Sequence, residues 1–570
     1  FHLEFILIVR SCVCQFRQGQ RLKRRSDDCG AVIFVRSGDQ RMRSRLQIIT
    51  TLSIWLVCLS VVNTTEQASP SGLPIGAIEI VNHEVFDEPE TGVSAPYRIA
   101  NTVHIRTRDE VVGRELLFET GDLFDQELVE QTERNLRGLT FIRDARIDTV
   151  VIDSDTDGEP DRVDLRVQTW DTWSLSPRVD FRQVHNRTIW ELGVSEKNLL
   201  GLGKSITATH RTNLDRTIDR VSYGDPQLIG SNVSLLVSAA HLSDGDEQLL
   251  MLDRGYLSLR DPWSWTVGGG SFRRTDPIFE AGAEVGRLYH RGQWGDFQVS
   301  RGVRRSARRA LRVHAAYRLR EERVGTEARD FGVAEFGIRS IGHRYVRLTH
   351  VNQFERSEDF NLGTDTFATV GLSAPELGGS SARATFVSAG HIHGISFRDG
   401  HFLIGEARFD GRHESHEWRN ALATVRGRYL LKHAERHAMI GRLSYQRGHN
   451  LDQEIQLLLG AETGLRGYPV RQFNGNRSLL MTLEERWFFA DDVAQLGSLG
   501  LSGFIDSGFV WPEKQVFTLR DLKTSVGISL LLGSNRLSSR GGIRLDFGYG
   551  LNRIANVGRW VFAAGSDIAF

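Results

Sequence analysis

The alternation of apolar and polar positions divides most of the chain into two regimes. From residue 77 to about 169, segments of helix period and strand period are mixed. Residues 77–81 read as a strand. Thr107-Arg-Asp-Glu110 has the form of a capping box ahead of Val111, Val112, Leu116 and Leu117, which predicts a short helix. A second helix is predicted from an N-cap at Asp125. Phe124 can staple onto Val129, the apolar face is Leu128, Val129, Thr132 and Leu136, and Gly138 closes it. Residues 145–151 and 162–167 then form two strands around an Asp-rich turn. In the second, Val163, Leu165 and Val167 alternate with Arg162, Asp164 and Arg166, so one face is buried. The order is β-α-α-β-β, a small α+β domain over 77–169.

From Thr172 onward the helix period disappears. Short alternating segments recur, among them 205–212, 233–242, 311–319, 402–409, 421–429, 479–489, 525–532 and 542–549, separated by Gly, Asp, Asn and Ser clusters. Some 400 residues in this pattern exceed a single soluble sandwich. The last strand favours a membrane barrel. Trp560, Phe562, Ala564, Ile568 and Phe570 share one face, opposite Val561, Ala563, Gly565 and Ala569, which fits lipid outside and lumen inside. Candidate segments number nearer twenty than sixteen, and pattern alone does not separate spanning strands from extended loop hairpins. The expected class is mainly β, a transmembrane antiparallel barrel over 170–570 behind the α+β domain.

The segment 46–62 is uncharged and mostly apolar, follows Met42-Arg-Ser-Arg45 and precedes a polar stretch. That order predicts a signal peptide over 42–68, with a single anchor helix as the alternative. Residues 1–41 read as an upstream, non-native extension. All four cysteines, Cys12, Cys14, Cys29 and Cys58, precede residue 60, so a processed chain would hold no disulfide. The 71 basic and 71 acidic residues cancel, which disfavours nucleic acid as a partner. The 57 glycines against 12 prolines suit β structure and argue against disorder.

Four motifs resemble the bacterial outer-membrane protein assembly and transport superfamily, the BamA/TamA-like barrels. Val111 to Asp122, continuing through Glu133-Arg-Asn-Leu-Arg137 and Phe141-Ile-Arg-Asp-Ala-Arg146, looks like a polypeptide-transport-associated (POTRA) domain. Gly464-Leu-Arg-Gly-Tyr-Pro469 resembles the loop tip that folds back into the lumen in that family, and Phe504-Ile-Asp-Ser-Gly508 resembles the strand that receives it. Gly565, Ile568 and Phe570 match the offsets of its C-terminal assembly signal, although Ala563 replaces the usual polar residue. The resemblance implies sixteen barrel strands. It implies a lumenal latch of Arg466, Gly467, Tyr468, Asp506 and Gly508, in which a planar guanidinium grips a carboxylate, Gly467 turns the tip and Tyr468 packs on the wall. The family usually carries more POTRA domains than the one for which 69–170 has room. Alternation also places Glu484 and Arg486 together, facing the lumen.

Competing chemistry is weaker. Asp153, Asp155, Asp157, Asp161 and Asp164, with Gly158, fit a calcium-loop template, but strands flank it and the last position lacks Glu, so an acidic hairpin turn is the plainer reading. The histidines between His391 and His449, including His391-Ile-His393, read as loop or lumen residues because no third ligand is apparent. Asn198-Leu-Leu-Gly-Leu-Gly-Lys-Ser205 misses the first glycine and the helix of a phosphate loop. No nucleophile or zinc-protease motif occurs, so neither an enzyme nor a cofactor is expected. The expected function is assembly and insertion of outer-membrane barrels. Partners would be unfolded precursors, outer-membrane lipid and periplasmic accessory proteins, with the POTRA domain in the periplasm. A two-partner-type secretion pore for an exported polypeptide is the alternative, and a passive porin would need neither POTRA domain nor Arg-Gly-Tyr loop.

Overall fold

The computed structural model describes residues 72–86, 95–152, 161–184, 187–381, 383–494, 497–537, 542–554 and 557–565. The signal-peptide segment, Asp153, Asp155, Asp157, Ile568 and Phe570 lie outside them. No described helix is long and apolar enough to cross a membrane, which leaves strands free to do so.

The α+β unit contains β1 (Ile75–His83), α1 (Ala95–Val103), α2 (Asp109–Gly113), α3 (Gln126–Gly138), β2 (Ile142–Ile152) and β3 (Arg162–Asp171). The sheet order is β1-β3-β2, with β1 parallel and β2 antiparallel to β3. The inward residues of β3, Val163, Leu165 and Val167, pack with Phe124, Val129, Leu136, Phe141 and Ile147 in one core. Asp125 caps α3 by accepting from the backbone N–H groups of Glu127 and Leu128. Helix α1 has no counterpart in the sequence reading. The capping box at Thr107 does not form. Arg108 is the N-cap residue of α2, and the Thr107 hydroxyl instead donates to buried Asp171 at 2.8 Å. Gly138 ends α3 without a left-handed turn, since the chain leaves through extended Leu139.

Beyond β3, twenty antiparallel strands close into a barrel, from Leu175–Val184 to Trp560–Gly565. The expected count of sixteen is therefore corrected. The surplus segments are hydrogen-bonded neighbours in the continuous ladder rather than loop hairpins, so the count suggested by alternation was the better guide. Outward positions carry Phe297, Phe336, Leu483, Trp487, Ile505 and Trp560, all well exposed, as a lipid-facing wall requires. Trp263–Glu280 pairs with Ala283–Arg305 over eighteen residues, and the last strand closes on the first through pairs that include Phe562↔Gln183, Ala563↔Arg182 and Ala564↔Phe181.

The α+β unit sits against the turns at one end of the barrel. Arg260 pairs with Asp125, Arg347 with Asp144 at 3.0 Å, and the Asn135 amide donates to the Leu257 carbonyl. The near-phosphate-loop segment is one of these turns. Gly201 and Gly203 adopt φ of +71° and +69°, and Asn198 donates to the Thr107 hydroxyl at 2.9 Å.

Candidate functional site

Two segments leave the barrel wall and enter the lumen. From the end opposite the α+β unit comes the connection 450–476, between strands His437–His449 and Arg477–Val493. It begins as a two-stranded arm, in which Leu457–Leu459 pairs with Phe473–Gly475. Arg329 and Arg412 of the wall hold its base, donating through paired contacts to Glu454 (2.6 and 3.0 Å) and Asp452 (2.8 and 3.0 Å). From the other end comes the hairpin Tyr345–Leu348/Glu358–Asn361. Its tip buries Val351 and Phe354, the latter against Phe488 and Leu531.

The tip of the long connection is where the candidate latch lies. Gly464 provides the left-handed turn, with φ of +106°. Arg466 then donates from Nε and Nη2 to Asp506 at 2.8 and 2.7 Å, and from Nη1 to Glu484 at 2.8 Å. Its guanidinium lies 3.4 Å from the centre of the Phe504 ring. The planar fork satisfies two carboxylates while its face rests on an aromatic, a geometry that lysine lacks. Arg466 is 3 % exposed and Asp506 is fully buried.

Gly467 acts by close approach rather than by turning the chain. Its φ is not positive, and a Cβ there would stand 2.4 Å from the Cβ of Ser525. Gly508 likewise admits Leu459, whose Cδ2 would lie 3.0 Å from an added Cβ. The Tyr468 hydroxyl, at the wall, lies 2.9 Å from the Thr524 carbonyl and accepts from the Asn552 backbone N–H at 3.2 Å.

Around this contact the strand alternation builds a buried ion network. Glu484 accepts from Arg466, from Arg486 Nε at 2.6 Å and from both terminal nitrogens of Arg544 at 2.9 and 3.0 Å. Arg544 also donates to Asp546 at 2.6 Å. The three guanidinium groups of Arg466, Arg486 and Arg544 thus face the three carboxylates of Glu484, Asp506 and Asp546 where water is scarce. Arg486 donates from Nη1 to the Val351 carbonyl at 2.8 Å, which brings the two inserted segments to opposite ends of one network.

Arg466, Asp506, Glu484 and Arg486, singled out in sequence, come together here. Arg544, Asp546, Arg329, Arg412 and the hairpin were not singled out, and no local motif marks them. Gly565 lies on the last strand opposite Arg544. Asp164, from the calcium template, accepts from the Ala77 backbone N–H at 2.9 Å and from Arg162 at 3.1 Å.

An outward apolar wall, closed strand pairing and a lumen held by an inward-folded loop define an outer-membrane-type β-barrel. In sequence the chain is similar to a BamA-type barrel over part of its length. Over 141 residues it is 29 % identical to the outer membrane protein assembly factor BamA of Neisseria meningitidis serogroup B, a match covering 24 % of this chain and 17 % of that protein's length. Among solved structures, BamA from Haemophilus ducreyi lacking POTRA domains 1–3 superposes with a TM-score of 0.37 at 13 % identity, over 87 % of this chain and 84 % of that one. CdiB from Acinetobacter baumannii gives 0.41 at 12 % identity, over 92 % and 97 %. No protein-family model matches the chain.

Proposed function

We propose that the protein is a non-enzymatic outer-membrane factor that assembles and inserts β-barrel precursors, its α+β unit being a periplasmic POTRA domain. The observation that carries this reading is a lumen entered by inserted segments from both ends. The long connection is anchored to strands well separated around the wall, and the hairpin enters from the opposite end. The first and last strands meet through three described residue pairs. A chain passing through the lumen would have to displace both inserts. A precursor entering through the wall would instead add its own strand between the first and the last, so that no backbone group is left unpaired in lipid. Strand β2 is an edge of the α+β sheet. Arg356, Arg137 and Glu133 hold the Ile142, Ala145 and Ile147 backbone groups, and the stretch beyond them, with Val150 and Val151 exposed, is where an extended precursor can add by main-chain pairing.

The test is a disulfide across the seam. Phe181 and Ala564 stand opposite one another, so Phe181→Cys with Ala564→Cys locks the first strand to the last. In proteoliposomes the oxidised double variant should fail to insert unfolded barrel precursors and recover on reduction. Insertion that continues in the locked form would remove the wall route, and export of a polypeptide through the locked barrel would establish a secretion pore instead.

A further inference from the structure

His433 and His437 flank the tight turn between strands Glu417–Ala434 and His437–His449. The next strand, Arg477–Val493, is paired so that Met439 opposes Glu485 and His437 opposes Trp487. Because Glu484 and Arg486 point into the lumen, Glu485 and Trp487 point outward, on the same face as His437. Register thus delivers a carboxylate to two imidazoles that sequence alone left without a third partner.

The three residues converge. Glu485 Oε1 lies 3.3 Å from His433 Nε2 and 3.5 Å from His437 Nδ1, and ligand atoms of all three residues lie within 4.8 Å of one another. With zinc–ligand bonds of about 2.0–2.2 Å, the edge of a coordination tetrahedron is about 3.3–3.6 Å. The scaffold is also restrained. The His437 ring stacks on Trp487 with planes 9° apart, and the two histidines are held by a two-residue turn. Neighbouring cations are directed elsewhere, Arg436 to Asp491 at 3.1 Å and Lys432 to the carbonyls of His350 and Glu435. With neutral imidazoles the cluster carries one negative charge.

We propose that His433, His437 and Glu485 form a binding site for a divalent transition-metal ion of the zinc type, on the outer wall of the barrel at the end nearest the α+β unit. Three protein ligands leave a fourth position for water. The ion would staple the turn to the adjacent strand. The proposal does not depend on the insertion reading.

Cobalt titration of the full chain in detergent tests it, with Cys12→Ser, Cys14→Ser, Cys29→Ser and Cys58→Ser so that thiolates do not compete. One Co²⁺ per chain should bind with the absorption of a four-coordinate site and be displaced by Zn²⁺. His433→Ala, His437→Ala and Glu485→Gln should each weaken binding by at least about tenfold, since even outer-shell changes cost that much at metal sites. Heat-modifiable migration confirms that each variant is a folded barrel, and His433→Gln replaces any alanine variant that is not. Absence of saturable binding in the unsubstituted site, or full binding retained in the folded variants, would overturn the proposal.

Discussion

Arg137 of α3 grips Asp359 of the inserted hairpin through two parallel contacts, Nε to Oδ2 at 2.9 Å and Nη2 to Oδ1 at 3.1 Å. The hairpin is therefore held at its base by the α+β unit, while at its tip the Val351 carbonyl accepts from Arg486. Arg486 shares Glu484 with Arg466, so polar contacts at the two ends of the hairpin connect the α+β unit to the opposite loop through the hairpin itself.

Breaking the first of these contacts is the simplest test of this connection. Arg137 is 6 % exposed at the side chain and Asp359 18 %, so a charge-assisted pair here contributes about 1.5–3 kcal/mol. Asp359→Asn should raise hydrogen exchange both in α3 and along 345–361. If exchange rises in α3 alone, the lumen holds the hairpin without help from the domain.

Arg466 and Asp506 should behave as one unit. With both side chains essentially out of water, Arg466→Ala leaves Asp506 without its cation, at a cost of roughly 3–5 kcal/mol, whereas Asp506→Ala leaves Arg466 its contact to Glu484 and costs less. Arg466→Ala and Asp506→Ala should share a phenotype of impaired activity in a barrel that still forms. Their double-mutant cycle should show strong coupling. Arg466→Lys should rescue only partly, because it loses the second contact and the stacking on Phe504. Additive effects of the two alanine substitutions would mean that the contact does not bear on activity.

The inserts should also limit conductance. Replacing 346–360 with a short Gly-Ser turn removes Val351 and Phe354 from the lumen, so single-channel conductance in planar bilayers should rise above that of the unaltered protein. Removing the connection 451–475 should have the same direction, and both changes together the largest effect. Conductance unaffected by either would place the constriction elsewhere in the barrel.

What sequence could and could not reveal follows from the range of the interactions. Period-two alternation is local, so the cores of strands such as Arg477–Val493 and Lys523–Gly533 were visible, as was the lumenal face holding Phe504, Asp506 and Gly508. The α3 cap at Asp125 was legible for the same reason. Strand ends were not, because the extended ladders continue through polar residues that only their neighbours justify. Thr107 misled because its hydroxyl has a better partner in Asp171, which is distant in sequence. Arg544, Asp546 and Glu485 acquire their partners through register between strands. Register is a tertiary property, and no spacing in the chain announces it.

His343 gives the docking of the α+β unit a pH dependence whose sign is fixed. It lies in the connection between Gly342 and Tyr345, where burial first, then the positive charges of Arg134 and Arg312, push its pKa down to about 4 from an ordinary 6.5, against a smaller opposing effect of Asp365. Its ring meets Tyr345 edge-on, and Arg134 of α3 covers the Tyr345 face at 4.4 Å. The packed state therefore holds a neutral imidazole. Between pH 6.5 and 4 the unfolded chain takes up a proton that the packed state refuses. Stability from this site is thus complete above pH 6.5 and declines as pH falls through that window, by at most about 3 kcal/mol. His343→Phe keeps the ring and removes the titration, so the difference in thermal stability between it and the unaltered protein should change steadily in its favour from pH 7 to pH 4.5. A difference that stays constant over that range would show that the imidazole titrates alike in both states.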